Sequence, residues 1–278
     1  MKVGYAVLYE DGTLTISKEH TILQKPIYKD YSEFDDMNIP WINDTYEIKI
    51  VKILNQVKSN YMNSWFDNCK NLTILIDFQN LDVSNCEDFS YTFFSCKNLK
   101  NISSLQNWNV SNGIDFAYMF AYCESLQNIN GLQNWNVSNV ENFYGMFSFC
   151  ESLQDLNGLQ NWNVSNGTNF SGMFSYCQLL QNIDGLQNWN VFNGRDFSFM
   201  FSNCTSLQDI SVLMNWDVVN GEDFEGMFNY CVSLKEIHLP QTLTNLKENM
   251  FRNCNKKLKI YWKNKIYTYE DLQTYEYL

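Results

Sequence analysis

Seven cysteines, Cys69, Cys96, Cys123, Cys150, Cys177, Cys204 and Cys231, stand 27 residues apart, and each closes the same apolar phrase. A fixed period of this length marks a repeat architecture in which each unit buries its hydrophobic face only against its neighbours. The expectation is therefore an elongated stack with one continuous core. The one or two compact domains that 278 residues would otherwise suggest do not fit that register.

Within a unit, Phe116, Met119, Phe120 and Cys123 are spaced i, i+3, i+4, i+7, and the stripe recurs at Phe143, Met146, Phe147 and Cys150 and in each later unit. This spacing predicts one face of a short helix. A start signal precedes it, as in Ser138-Asn139-Val140-Glu141, which has capping-box spacing. After each Cys the pattern Leu126, Ile129, Gly131, Leu132, Trp135 predicts a short strand around Ile129. Such strands would stack in parallel about 4.8 Å apart. Trp108, Trp135, Trp162, Trp189 and Trp216 form a second file, expected half-buried at a turn. The amides that precede them (Asn107, Asn134, Asn161, Asn188, Asn215) and the file Asn85, Asn112, Asn139, Asn166, Asn193, Asn220 are expected to satisfy backbone groups of the turns and one another.

The ends depart from the period. Residues 5–17 alternate around Asp11-Gly12, a hairpin signal. Residues 46–54 fit neither period, leaving strand or helix open, and the last unit, Cys231 to Cys254, spans only 23 residues. Lys259 to Thr268 predicts a closing hairpin that covers the last apolar face. The expected organisation is an α/β repeat of short parallel strands and short helices with β-hairpin caps. Its units are an N-terminal hairpin and cap at 1–45, a repeat array at 46–254 and a C-terminal cap at 255–278.

Charge excludes some partners. Residues 73–251 hold five basic side chains (Lys97, Lys100, Arg195, Lys235, Lys247) against 18 acidic ones, a strip that would repel a phosphate backbone, so nucleic acid is not expected. No run approaches the 18 apolar residues of a membrane span, and residues 1–10 carry no signal-peptide core, so no membrane insertion is expected and the reading from sequence alone is cytoplasmic.

No catalytic constellation, metal-ligand spacing or cofactor loop is expected. The seven registered cysteines read as packed thiols, parallel neighbours being poorly placed for disulfides. Off-register Cys86 is the best candidate among the cysteines for a reactive thiol, although a structural role is expected for it as well. His20 and His238 sit in no catalytic phrase, and the Asn-Gly pairs recur in register as turn residues.

The phrase L-x-x-L-x-x-W-[ND]-V-[SV]-N-x-x-x-F-x-x-MF-x-x-C, running from about residue 46 to 262, resembles the BspA-like leucine-rich repeat proteins. Its form is the DUF285 repeat of bacterial surface proteins and mycoplasma lipoproteins. The 23-residue unit with Leu239-Pro240 and Leu243-Thr244 resembles the companion repeat of that family. The resemblance implies a leucine-rich-repeat solenoid that adheres to host or partner proteins, with no catalytic residues to carry over. It also implies a cell-surface or secreted location, since family members are commonly exported. The rival expectation is an intracellular interaction scaffold or effector.

A partner would meet the strand face, where residues flanking the buried Ile point outward by the period-two rule. The candidate binding residues are Asn101, Asn128, Asn130, Asp155, Asn157, Asn182, Asp184, Asp209 and Glu236. This polar, partly acidic strip suits hydrogen bonding to a protein, with a preference for basic partners. A second candidate is the row Tyr118, Tyr122, Phe149, Tyr176, Phe199 and Tyr230 beside the apolar stripe, whose rings are expected to pack mostly between neighbouring units.

Overall fold

The computed structural model describes residues 2–244, 246 and 248–274; residues 275–278 of the expected C-terminal cap and Lys247 lie outside the described residues. Ten strands occur among them: β1 (Lys2–Tyr9), β2 (Thr13–Ser17), β3 (Ile27–Asp35), β4 (Ile50–Ile53), β5 (Val57–Lys58), β6 (Ile74–Ile76), β7 (Leu81–Asp82), β8 (Glu236–His238), β9 (Lys259–Trp262) and β10 (Lys265–Thr268). One short helix, α1 (Tyr269–Thr274), follows the last strand. Between β7 and β8 the chain is built from turns and short 3-10 segments.

The expected N-terminal hairpin is present. Strands β1 and β2 pair antiparallel from Tyr5 opposite Ser17 to Leu8 opposite Leu14. Gly12 takes the left-handed φ of +85° that the tight turn requires. Strand β3 pairs antiparallel with β1 on its outer side. On its inner side β2 runs parallel to β4, and β4 runs parallel to β6, giving the order β3-β1-β2-β4-β6. The ambiguous stretch at residues 46–54 thus contains a strand, because β2 presents it with a template to pair against. At the other end β9 pairs antiparallel with β10 and parallel with β8, which forms the expected closing hairpin.

Between these ends the chain winds in coils that bond to one another along the stack. The amides of Phe116, Tyr118, Phe120 and Tyr122 donate to the carbonyls of Asn142, Tyr144, Met146 and Ser148, each 26 residues on, at 2.7–2.9 Å. The intervening amides of Met119, Ala121 and Cys123 close turns onto carbonyls three residues back. Side chains stack in the same files. Phe66, Phe93, Phe120, Phe147, Phe174, Phe201, Phe228 and Phe251 form a column with ring centroids 5.3–5.8 Å apart. Trp41 closes that column at its front, stacked on Phe66 with its indole N–H donated to the Trp65 carbonyl at 2.7 Å. Full burial of each such ring contributes about 1.5–3 kcal/mol relative to an exposed one.

This ring spacing overturns the expected short helices. An α-helix with its side chains is about 10–12 Å across, so helices could not follow one another at the separation of these rings. The i, i+3, i+4, i+7 stripe is instead wound as two consecutive turns, each with one residue at positive φ: Tyr118 at 56° and Tyr122 at 60° in the unit ending at Cys123. Every second backbone amide then points along the stack, which a helix would not allow.

The expected strand around Ile129 is also absent. Ile102, Ile129, Leu156, Ile183 and Ile210 instead precede 3-10 segments that begin at Ser103, Asn130, Asn157, Asp184 and Ser211. Glycine makes these turns pack: a Cβ on Gly131, Gly158 or Gly185 would lie 2.2, 2.3 or 1.9 Å from the carbonyl oxygen of Ile102, Ile129 or Leu156 in the preceding coil. Parallel bridging between mid-stack coils occurs mainly elsewhere, through Asp88, Asp115, Asn142, Asn169, Asp196 and Asp223.

Gly185→Ala is expected to force the coils apart locally and to lower stability by about 1–3 kcal/mol. A urea titration followed by tryptophan fluorescence checks this. An unchanged midpoint would show that the stack yields at that contact.

Candidate binding surface

Asparagine and aspartate recur in this chain because each coil carries three turns closed by a side chain. In the unit ending at Cys150 the acceptors are Oδ1 of Asn128, Asn136 and Asn142, which take the amides of Asn130, Ser138 and Tyr144 at 3.4, 3.2 and 3.1 Å. Such side-chain-closed turns are the local alternative to helix and strand that these residues favour. A fourth file, Asn112, Asn139, Asn166, Asn193 and Asn220, donates Nδ2 to a carbonyl of the preceding coil at 2.7–2.9 Å, which is the structural role expected of it.

The proposed binding residues recur in register along the stack, two in each of three coils and one each at Asn101, Asp209 and Glu236, and they divide by chemistry. Asn101, Asn128, Asp155, Asn182 and Asp209 each turn Oδ1 inward onto the amide two residues later, at 2.7–3.4 Å. Asn130, Asn157 and Asp184 open the 3-10 segments, are exposed, and engage no side-chain hydrogen bond among the described residues. Glu236 lies exposed on β8 with its carboxylate 3.6 Å from His238 Nε2. Sequence reasoning placed these residues at the surface but missed the inward bond of the first file. The signal for it was present, since an Asx residue followed two positions later by a turn residue is a known closing pattern.

Most other chemistry-bearing groups are engaged inside the stack. The thiols of Cys96, Cys123, Cys150, Cys177, Cys204 and Cys231 lie 3.1–3.3 Å from the carbonyl oxygen 30 residues earlier. The five indoles are buried, rather than half-buried as expected, and donate to carbonyls 30 residues earlier at 2.9–3.4 Å. Their rings stack 6.1–6.5 Å apart.

Cys86 does not stand out as reactive: it is buried, with Sγ 3.3 Å from the Ser59 carbonyl oxygen. Burial, followed by the charge of Asp36, pushes its thiol up to about 12. Burial also raises Cys204 and Cys254 to about 12. Among the described residues no group of three or more His, Cys, Asp or Glu side chains could hold a metal ion, and no helix is long and apolar enough to cross a membrane.

The family model described as "Mycoplasma protein of unknown function, DUF285" matches residues 60–158 and 153–262. The chain belongs to this family. The DUF285 repeats therefore cover most of the chain, in the register of the stacked coils. No curated protein matches the sequence. Similar solved structures include a leucine-rich repeat protein from Eubacterium ventriosum, 13% identical, covering 94% of this chain and 96% of that one with a TM-score of 0.37. Another, from Bacteroides ovatus, is 14% identical with coverages of 94% and 89% and a TM-score of 0.35. A leucine-rich cell surface protein from Faecalibacterium prausnitzii is 15% identical with coverages of 95% and 95% and a TM-score of 0.27. At these scores the coils do not superpose closely enough for a comparison of sites.

Along the file of the positive-φ turns, the expected row of aromatics partly packs on itself. Tyr122, Phe149 and Tyr176 stack with centroids 4.2 Å apart, whereas Phe199 and Tyr230 remain 41% and 45% exposed. Sequence reasoning overlooked the glycines of this flank. Gly145, Gly172 and Gly226 stand in register where other units have Tyr91, Tyr118 and Phe199, a substitution pattern visible once the units are aligned.

All nine cysteines are free and buried. The native protein at pH 8 is therefore expected to show almost no reaction with an aromatic disulfide reagent and to titrate all nine thiols once unfolded in guanidinium. Rapid reaction of one native thiol would contradict the burial described.

Proposed function

We infer that this chain is a non-catalytic protein-binding module of the leucine-rich-repeat solenoid type, and that the edge carrying Asn130, Asn157 and Asp184 meets the partner. The observation that carries this reading is the division of labour on that edge. One residue per coil closes the turn, and its neighbour two positions later is exposed and unbonded, so a regular row of polar groups is held on a hydrogen-bonded scaffold. Preorganised groups of this kind favour recognition because little ordering is left to occur on binding.

Taken with its turn-closing residues, the edge becomes acidic toward its C-terminal half through Asp155, Asp184, Asp209 and Glu236, in a chain of formal net charge -12. A basic protein surface is the complementary partner. The family resemblance adds adhesion to a host or extracellular protein as the finer reading.

Asn157→Lys/Asp184→Lys tests the edge without removing a turn-closing side chain. Wild type and variant are compared by quantitative pull-down from extracellular-matrix proteins and from producing-cell lysate. A partner retained by the wild type is expected to fall by about tenfold or more in the double variant, since like charges juxtaposed at an interface cost several kcal/mol. Capture from matrix supports adhesion, and capture only from lysate supports the scaffold role. A folded variant that keeps every partner rejects this edge as the site.

A further inference from the structure

The aromatic flank carries a notch with a specific cause. Tyr91, Tyr118, Gly145, Gly172, Phe199 and Gly226 occupy one file, and all have φ between 54° and 61°. Side chains in this file lean along the stack over the next coil. The Tyr118 ring lies over Gly145, where an added Cβ would be 2.5 Å from Tyr118 Cε1, and the Phe199 ring lies over Gly226 at the same 2.5 Å. Residue 145, which should cover residue 172, is itself glycine. A Cβ on Gly172 would accordingly meet only the Ser175 Cβ, 4.0 Å away.

The resulting notch has a volume of about 240 Å³ and is floored by Gly172, Ser171 and Ser175. Tyr122 and Phe149, stacked at 4.2 Å, line one side, and Tyr118 and Phe199 close the ends. The notch is open to solvent and partly polar at its floor, and its volume exceeds the roughly 150 Å³ that holds one benzene ring in an enclosed cavity, so one aromatic side chain fits within it.

We propose that this notch is a binding site for a single tyrosine or phenylalanine side chain of a partner polypeptide, with a lysine or arginine beside it. The chain itself shows which ring fits, because the equivalent positions over Gly145 and Gly226 are filled by Tyr118 and Phe199. The Tyr118 ring meets Tyr144 edge-on at 4.6 Å, an arrangement that aromatic quadrupoles favour. The basic neighbour follows from charge. The chain carries a formal net charge of -12, so a cationic residue flanking the ring is favoured over an anionic one. The site is separate from the polar edge and stands or falls independently of it.

Saturation-transfer NMR with the full chain tests the site, using acetyl-Lys-Tyr-Lys-amide, acetyl-Lys-Ala-Lys-amide and glucose as probes. Transfer to the tyrosine ring protons is expected, with none to the alanine peptide or glucose. Gly145→Tyr sets a ring over Gly172 once the Tyr118 ring yields to the new Cβ, as Tyr91 does beside Tyr118, and should reduce that transfer by about fivefold or more, the worth of one aromatic contact. Should this variant lose its cooperative melt, Phe149→Ala, which removes the lining ring, decides with the same expectation. Absence of transfer in the wild type, or transfer undiminished in the folded variant, overturns the proposal. Transfer to glucose without transfer to tyrosine also overturns it, making the notch a sugar site.

Discussion

The separation of about 5.5 Å between stacked phenylalanine rings is the constraint on which the rest of the structure depends. It matches the reach of backbone hydrogen bonds between successive coils, and it is too small for any helix to be interposed. Every coil must therefore bring its backbone to its neighbour along its whole circuit. Turns whose amides alternate between closing on themselves and reaching along the stack meet that demand on the aromatic flank. On the other flank, side-chain-closed turns and glycines held against the previous carbonyl do so.

These requirements explain how much of the molecule was legible in its sequence. The period, the stacked core, the packed cysteines and the two hairpins follow from spacing and turn chemistry alone. The helix reading failed because i, i+3, i+4, i+7 is also the spacing produced by two successive four-residue turns; only the thickness of the coil separates the alternatives. The strand at Ile129 failed because hydrophobic alternation cannot report that Gly158 must lie against the Ile129 carbonyl. Periodicity correctly placed Asn157 and Asp184 at the surface. It could not show which neighbouring amide oxygens were already committed to closing a turn.

Backbone strain is distributed in a similarly regular way. Bulky residues seldom adopt positive φ, at a cost of about 1–2 kcal/mol each, yet Tyr91, Tyr118, Tyr122, Phe149, Tyr176, Phe199 and Tyr230 all do so. The inter-coil hydrogen bonds and ring contacts around them hold this conformation in place. Glycine at 145, 172 and 226 relieves the strain and removes a ring at the same time. Local backbone comfort and the relief of the outer surface are therefore set by the same positions.

The interior coils differ little from one another, and each touches only the coil before and the coil after. Recombination that inserts or removes 27 codons in register would thus preserve every type of contact while lengthening or shortening the molecule by one ring spacing. The polar edge would gain or lose one step, whereas the gap over Gly172 would shift in position or vanish according to which copy was exchanged. Such a gene can vary the reach of its product and the placement of its recesses without redesigning its core.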